Sequence, residues 1–260
     1  MSFALPAAAP LVVAGVAIVL FAGVVRGYAG FGFSAISVAG LALLVSPASI
    51  VPAVFALEVL ASLALLRPAL RECDGRWLAA LALGNALCIP LGVLVLAQVP
   101  ETPLRLVIGA LLLGLTAVQR LGFELRLAPT TAVRFAVGAA SGLANGVAAI
   151  GGIVVAVLLG PAQLSPAALR ATLIVMFLFT DVYALAWAAV LPAPADAAPL
   201  LDARTVAWFV CLAPAMLAGI AIGGRAFAGA SAEVFRRRVL DLLLVVSALA
   251  VARAALDLIR

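Results

Sequence analysis

The chain has 260 residues, of which 67% are hydrophobic and 10% charged, and its mean hydropathy is +1.32. A water-soluble domain is roughly 45–50% apolar and about 25% charged, so this composition excludes a soluble globule. The net charge of +5 is carried by arginine, since the chain contains neither Lys nor His, and the arginines lie beside apolar stretches. This placement indicates orientation in a membrane and argues against a nucleic-acid partner.

Apolar stretches follow one another along the whole chain, and none alternates with the period of a strand. Because only helices then satisfy the backbone inside a membrane, we predict one all-α, polytopic membrane domain over residues 1–260. It should hold about 8–10 transmembrane helices. The predicted helices are 10–25, 31–45, 50–66, 77–99 and 103–119 in a first set, and 131–146, 150–163, 167–190, 205–222 and 234–256 in a second.

The first two stretches of each set are short, and only a glycine-rich break separates them. Two interpretations fit this pattern. The stretches are either full membrane spans, or broken, re-entrant helices that form a hairpin entering and leaving on one side. Both interpretations leave the orientation of every later helix unchanged.

The two sets resemble each other when the first is shifted by 119 residues. Five positions then match in one register without a gap, which predicts internal repeats over 8–121 and 130–258. Since each repeat has five elements, the two should lie in opposite orientations. The matched pairs are Gly23 with Gly142, Gly27 with Gly146, Gly32 with Gly151, Ser46 with Ser165 and Pro47 with Pro166.

The arginines provide an independent test of this inverted arrangement. With the N-terminus outside, most of them fall at cytoplasmic ends, as the positive-inside tendency requires. The cytoplasmic group is Arg67, Arg71, Arg76, Arg120, Arg126, Arg134, Arg170, Arg225, Arg236, Arg237 and Arg238; Arg105, Arg204, Arg253 and Arg260 fall outside, and Arg26 lies within the membrane.

Inverted repeats with broken helices are typical of secondary transporters, whose sites lie near the midplane. The breaks here are residues 26–33 and 145–152. Glycine lets the backbone leave helical dihedrals, and each new helix starts with unsatisfied N–H groups and a partial positive charge. Two such starts facing each other predict an anion cradle. Close helix packing is the alternative; it is favoured for Gly23 and Gly142, whereas the clustered Gly30, Gly32, Gly151 and Gly152 favour the site.

Arg26 is the most informative side chain. An arginine in the centre of a membrane costs at least about 2.5–3.5 kcal/mol, so it should face a partner or a wet cavity. It can offer a fork of donors to a sulfite, a sulfonate or a carboxylate. The alternatives are an ion pair with Glu58, or snorkelling to the membrane surface. The shift of 119 places Asn145 at the equivalent position, which predicts an asymmetric site of one charge and one amide.

Glu58 and Asp181 lie inside the third predicted helix of their sets, in similar places. Desolvation favours the protonated form of a buried carboxylate, so both are candidates for proton coupling. The alternative is a hydrogen bond between helices, or a pair with Arg26. We find no metal-ligand cluster and no nucleophile–base pair at recognisable spacing, so we expect no enzyme activity, catalytic residue, metal or cofactor.

Two glycine-rich breaks, each followed by an apolar stretch and a Ser-Pro pair, resemble the sulfite exporter TauE/SafE family over nearly the whole chain. Residues 149–152 fit the family's Gly-Ile-Gly-Gly-Gly pattern, whereas Phe31 and Phe33 depart from it. The resemblance implies outward transport of sulfite or small organosulfonates in bacteria. It places the substrate region at 26–34 and 145–153, with candidate residues Arg26, Gly27, Tyr28, Gly30, Gly32, Ser34, Asn145, Gly146, Gly151 and Gly152.

We therefore predict a secondary permease of the bacterial inner membrane that moves a small anion by alternating access, with proton coupling left open. Other organic or sulfur-containing anions are alternative substrates, and an accessory membrane subunit or a membrane-embedded enzyme is the alternative of another class. An accessory subunit should have breaks closed by side chains and no cavity at the midplane. The expected partners are the anion and membrane lipid, and the sequence leaves a homodimer open.

Overall fold

A computed structural model describes residues 7–122, 130–159, 165–191, 199–226 and 232–259. These residues form ten α-helices: α1 (Ala9–Ala29), α2 (Phe33–Leu41), α3 (Pro47–Glu72), α4 (Gly75–Gln98), α5 (Glu101–Arg120), α6 (Thr131–Ala148), α7 (Gly151–Leu159), α8 (Pro166–Val190), α9 (Ala203–Ala226) and α10 (Ala232–Ile259). The predicted all-α, polytopic class is confirmed. Arg126 and Arg260 lie outside the described residues.

Among the described helices, seven are long and apolar enough to cross a membrane: α1, α3, α4, α5, α8, α9 and α10. Helices α2 and α7 have nine residues each, which corresponds to roughly 14 Å at about 1.5 Å per residue. Neither can cross a hydrocarbon layer of about 30 Å. The structure therefore favours the hairpin over two consecutive full spans.

Helix α2 folds back along α1. Gly32 lies beside Val25, and Gly40 lies beside Ile18, so the two helices are antiparallel. Ser46 and Ser165 are the N-cap residues of α3 and α8, and a proline follows each at the first helical position. Proline suits this position because its fixed φ matches the helix and its missing N–H would have no partner there. The matched Ser-Pro pairs thus mark equivalent helix starts.

Four close helix pairs hold the fold together: α1 with α9, α4 with α6, α3 with α8, and α5 with α10. A Cβ at Gly23 would lie 2.6 Å from the Met216 carbonyl oxygen of α9, and one at Gly142 would lie 2.7 Å from the Asn85 Cα of α4. The packing role predicted for Gly23 and Gly142 is confirmed. Helices at the same place in the two sets have equivalent partners. The pair α1–α9 corresponds to α6–α4, and the pairs α3–α8 and α5–α10 each join two corresponding helices.

Contacts between helix ends agree with the sides expected from the arginines. The Asp74 amide at the end of α3 donates to Thr172 of α8 at 3.2 Å. Arg134 of α6 lies over the ring of Trp77 in α4, at 4.3 Å from its centroid. Arg120 of α5 pairs with Asp241 of α10 at 2.6 Å. The ends predicted to be cytoplasmic therefore meet one another.

Candidate functional site

Both hairpins begin with a left-handed residue at the C-cap of their first helix. The C-cap of α1 is Gly30, which has a φ of 81° and donates its N–H to the Arg26 carbonyl at 2.8 Å. The C-cap of α6 is Ala149, which has a φ of 58° and donates its N–H to the Asn145 carbonyl at 2.7 Å. Gly32, before α2, has a φ of 91°, whereas its counterpart Gly151 is the first residue of α7. Ala149 is notable because residues other than glycine rarely adopt this left-handed conformation.

Arg26 is fully buried beneath the first hairpin turn and has a partner. Its Nη2 atom lies 3.2 Å from Glu58 Oε2 and 3.1 Å from Ser62 Oγ. The guanidinium carbon lies 4.7 Å from the centroid of the Phe177 ring. The ion pair with Glu58, expected as an alternative, is therefore present and snorkelling is not. Its Nε and Nη1 atoms have no hydrogen-bond partner among the described residues.

Each helix start beyond a break is capped by a side chain. Glu58 Oε1 accepts the Ser34 N–H at the start of α2, at 3.2 Å. At the start of α7, Asn145 Oδ1 accepts the Gly151 N–H, also at 3.2 Å. A helix N-terminus favours an anion, and the carboxylate of Glu58 already provides one at α2. An incoming anion would have to compete with Glu58 there.

Asn145 links the second break to Asp181. Its Nδ2 atom donates to Asp181 Oδ1 at 2.8 Å, and Ser141 Oγ donates to the Gly151 carbonyl at 3.0 Å. Asp181 is 1% exposed, and its Oδ2 atom has no hydrogen-bond partner in the described part of the chain. The side-chain amide of Asn145 therefore makes two hydrogen bonds, with its oxygen to α7 and with its nitrogen to α8.

The shift of 119 residues relates these two groups of contacts. It maps the Arg26–Ser62 pair onto the Asn145–Asp181 pair, and it maps Glu58 onto Phe177. Glu58 and Asp181 are thus one helical turn apart in the repeat register and not at equivalent positions. They lie on α3 and α8, which pack against each other, so the buried charges meet where the two sets face each other.

A cavity of about 670 Å³ ends at the first hairpin turn. Tyr28 and Gly32 are the predicted site residues in its wall, together with Phe31. Its other walls come from the last turns of α3, the first turns of α8 and the first half of α10. The lining residues are Val25, Tyr28, Ala29, Phe31, Gly32, Ala35, Leu65, Pro68, Ala69, Glu72, Gln119, Ile153, Ala167, Arg170, Ala171, Ile174, Val239, Leu240 and Leu243.

The remaining predicted residues do not line this cavity. Gly27 packs on Ile220 of α9, and Gly146 packs on Ile89 of α4, so both serve close helix contact. A Cβ at Gly152 would clash with the ring of Phe177, where it would lie 2.6 Å from Cε1; the same ring also faces Arg26. Ser34 is buried, and Phe33 is wholly within the core.

Arg170 is a cavity residue that the sequence analysis assigned only to membrane orientation. It lies in the second turn of α8, and its Nη2 atom donates to the Gly27 carbonyl at 3.2 Å. Its side chain covers the Cα of Gly30, where a Cβ would lie 2.6 Å from Nε. The signal in the sequence is its place inside an apolar stretch, five residues after the Ser-Pro start of a helix.

A family model for the sulfite exporter TauE/SafE matches residues 15–251 of the chain. This match covers almost all ten helices and both hairpins. No curated protein and no solved structure matches the chain. The fold, the two breaks and the family match agree: this chain belongs to the sulfite exporter TauE/SafE family, whose members are membrane permeases for small anions and not enzymes.

Proposed function

We propose that the protein is a secondary transporter of the bacterial inner membrane that moves sulfite or a small organosulfonate by alternating access. The observation that carries this proposal is the cavity at the first hairpin turn and the closure of its counterpart. The shift of 119 residues relates the part of the cavity wall that comes from α1, α2, α3 and α8 mostly to buried residues. Those that are at most 5% exposed include Val51, Phe55, Ala144, Ala148, Val154, Ala184 and Ala188. The α10 part of the wall differs, because Val239 and Leu240 correspond to the exposed Arg120 and Leu121.

This difference between the two sides is what one state of an alternating-access cycle requires. The open side carries the end of α3 and the start of α8, which the arginine pattern assigns to the cytoplasm. Exchange of the two hairpins' environments would close this cavity and open the other side. Each helix of one set packs on the counterpart of the helix that its own counterpart packs on. This supports an inverted repeat, in which exchanging the environments of the two hairpins would replace the present helix contacts by equivalent ones.

The substrate site proposed is the first break together with the buried charges behind it. Two donor atoms of Arg26 have no partner within the described part of the chain, Tyr28 and Gly32 face the cavity, and the start of α2 supplies amide groups. An anion that reaches this point replaces Glu58 as the partner of Arg26 and of the Ser34 N–H. Substrate binding then releases the Glu58 carboxylate.

This competition gives a physical basis for proton coupling through Glu58 and Asp181. The buried cluster contains one arginine and two acids, so it is neutral when one acid holds a proton. A bound anion adds a further negative charge, and a second proton restores neutrality. Unpaired charge in a dry interior is strongly unfavourable, so anion and proton should bind together.

The test is thermal stabilisation of the purified protein by sulfite, sulfate, thiosulfate, small sulfonates, small carboxylates and chloride. A ligand of the folded state stabilises it by about 2.7 kcal/mol at a hundredfold excess over Kd. We expect a selective shift with sulfite or a sulfonate. No shift with any of these anions would contradict the anion assignment.

The role of Arg26 needs a variant that does not leave a buried charge alone. Removing one partner of a buried ion pair costs about 3–5 kcal/mol of stability. A loss of binding in Arg26→Ala alone could therefore come either from unfolding or from the lost contact. The double variant Arg26→Gln with Glu58→Gln removes both charges. We expect it to fold but to lose the anion-dependent shift. A folded double variant that keeps the shift would remove Arg26 from the site.

A further inference from the structure

The cavity is much larger than a bare inorganic anion needs. Its volume of about 670 Å³ lies within the range of about 300–1,000 Å³ that is usual for sites of drug-sized ligands. One water occupies about 30 Å³ in the liquid, and an anion of four heavy atoms needs only a few times that. The volume therefore suits a molecule with a carbon body.

The wall of the cavity is mostly apolar. Aliphatic side chains come from four helices, namely α3, α7, α8 and α10, which contribute Leu65, Ile153, Ile174, Val239 and Leu243. An apolar wall gains free energy from covering carbon and gains little from a strongly hydrated ion. The apolar wall and the volume of the cavity therefore both favour a ligand with a carbon body.

The cationic group in this wall is Arg170, which is half-buried beside the hairpin turn. Its hydrogen bond to the Gly27 carbonyl uses one of the five donors of a guanidinium. Arg170 lies near both a like charge, Arg26, and an opposite charge, Glu72, so an anion bound at Arg170 relieves the part of the repulsion from Arg26 that Glu72 does not offset. Glu72 lines the cavity and is exposed at the end of α3, where water screens part of its attraction for Arg170.

We propose that this cavity binds an amphipathic organosulfonate, with its anionic head on Arg170 and an apolar body of several carbon atoms on the aliphatic wall. The proposal rests on the proposed function and narrows its substrate class. Arg170 is then the residue that first receives the head group. Arg26, which is fully buried, receives it only after the hairpin moves.

The test is binding of a series of sulfonates to the protein in nanodiscs, from methanesulfonate to hexanesulfonate, with sulfite alongside. Burying one methylene is worth about 0.8 kcal/mol, so affinity should rise by up to about fourfold for each added carbon. A terminal hydroxyl on a chain of the same length should cancel much of this gain. The longer sulfonates should all bind more tightly than sulfite.

Four variants separate the head-group contact from the apolar wall. Arg170→Gln should weaken binding of every sulfonate by about tenfold to a hundredfold, and Arg170→Lys should restore part of it. Arg76→Gln removes a charge from the same predicted side but outside the cavity, so it should leave binding unchanged. Ala167→Phe fills part of the cavity mouth and should weaken the longest sulfonates most.

The outcomes distinguish this inference from the proposed function. Equal binding of sulfite and all sulfonates, a chain-length dependence unchanged by Ala167→Phe, or a sulfonate affinity unchanged by Arg170→Gln overturns the amphipathic site and leaves anion transport standing. No binding of sulfite or of any sulfonate overturns the proposed function itself. Melting temperatures without ligand confirm that each variant is folded before its binding is compared.

Discussion

At the scale of single residues, the first hairpin turn depends on Gly30. Its positive φ suits glycine, and the side chain of Arg170 occupies the space where a Cβ would lie. The equivalent residue in the other hairpin is Ala149, which accepts the same left-handed conformation. The two turns therefore share a left-handed residue at the helix C-cap but not the neighbour that covers it.

We predict that Gly30→Ala lowers the free energy of unfolding by at least about 1–2 kcal/mol, the cost of a left-handed residue with a Cβ. It also displaces Arg170, so sulfonate binding should weaken. Gly114→Ala is the control, because a Cβ there meets nothing within 4 Å. Thermal melting and anion binding of both variants give the comparison; equal melting temperatures would refute the prediction.

The two buried acids should respond differently to neutralisation. Glu58→Gln leaves Arg26 buried without its counter-ion, and breaking such a pair costs about 3–5 kcal/mol. Asp181→Asn keeps an acceptor for the Asn145 amide and removes no ion pair, so its cost should be below about 1 kcal/mol.

The functional part of this prediction is that Asp181→Asn folds but loses the dependence of anion flux on a proton gradient. Flux in proteoliposomes, with and without the gradient, measures it. A variant that retains full proton dependence would show that Asp181 does not carry the coupled proton.

At the scale of helices, small residues set the distance between paired helices. Gly84 and Gly92 of α4 meet the backbone of α6, and Gly219 and Gly223 of α9 meet the backbone of α1. Without a hydrophobic driving force in lipid, such close packing is a main source of helix association. Each hairpin is therefore held by one long partner helix, α9 for the first and α4 for the second, and glycines of the partner helix make the close contact in both cases.

Neighbouring glycines of α9 provide a matched test of this packing. A Cβ at Gly223 would lie 2.9 Å from the Val24 carbonyl carbon, whereas one at Gly224 would meet none of the described residues within 4 Å. Gly223→Ala should destabilise the protein by about 1–3 kcal/mol, as overpacking does. Gly224→Ala should be neutral or slightly stabilising. Similar melting curves for the two variants would contradict the assigned contact.

At the scale of the whole molecule, the two sets of helices share their pairing but differ in what they enclose. Ala29 lines the cavity, while its counterpart Ala148 is fully buried. The charged residues differ in the same way, because Arg170 lines the cavity and its counterpart is the buried, apolar Val51. The structure thus has one open side, and the binding chemistry proposed above lies on it.

Cysteine labelling tests the open side directly. In a protein whose native Cys73, Cys88 and Cys211 are replaced, Ala29→Cys should react with a thiol reagent applied from the cytoplasmic side, and Ala148→Cys should not. Saturating sulfonate should protect Ala29→Cys. Reaction of Ala148→Cys from the outside on adding substrate would reveal the opposite state, whereas equal reactivity of both without substrate would refute a one-sided cavity.

The sequence by itself determined the fold class and nearly every helix, because apolar stretches of membrane length and Ser-Pro helix starts are local signals. It also located both breaks, since Gly30, Gly32 and Gly151 cluster there. The single register of matches was enough to pair Arg26 with Asn145. The ion pair with Glu58 was expected only as an alternative, because two opposite charges inside apolar stretches need partners.

Only the tertiary structure decided which alternatives apply. Whether α2 and α7 cross the membrane depends on where each helix ends, and whether Gly27 binds ligand or packs depends on which helix lies beside it. Arg170 acts at the hairpin turn because α8 passes the end of α1, a contact between residues 143 positions apart. Such contacts arise from packing of distant helices, which no local pattern in the chain encodes.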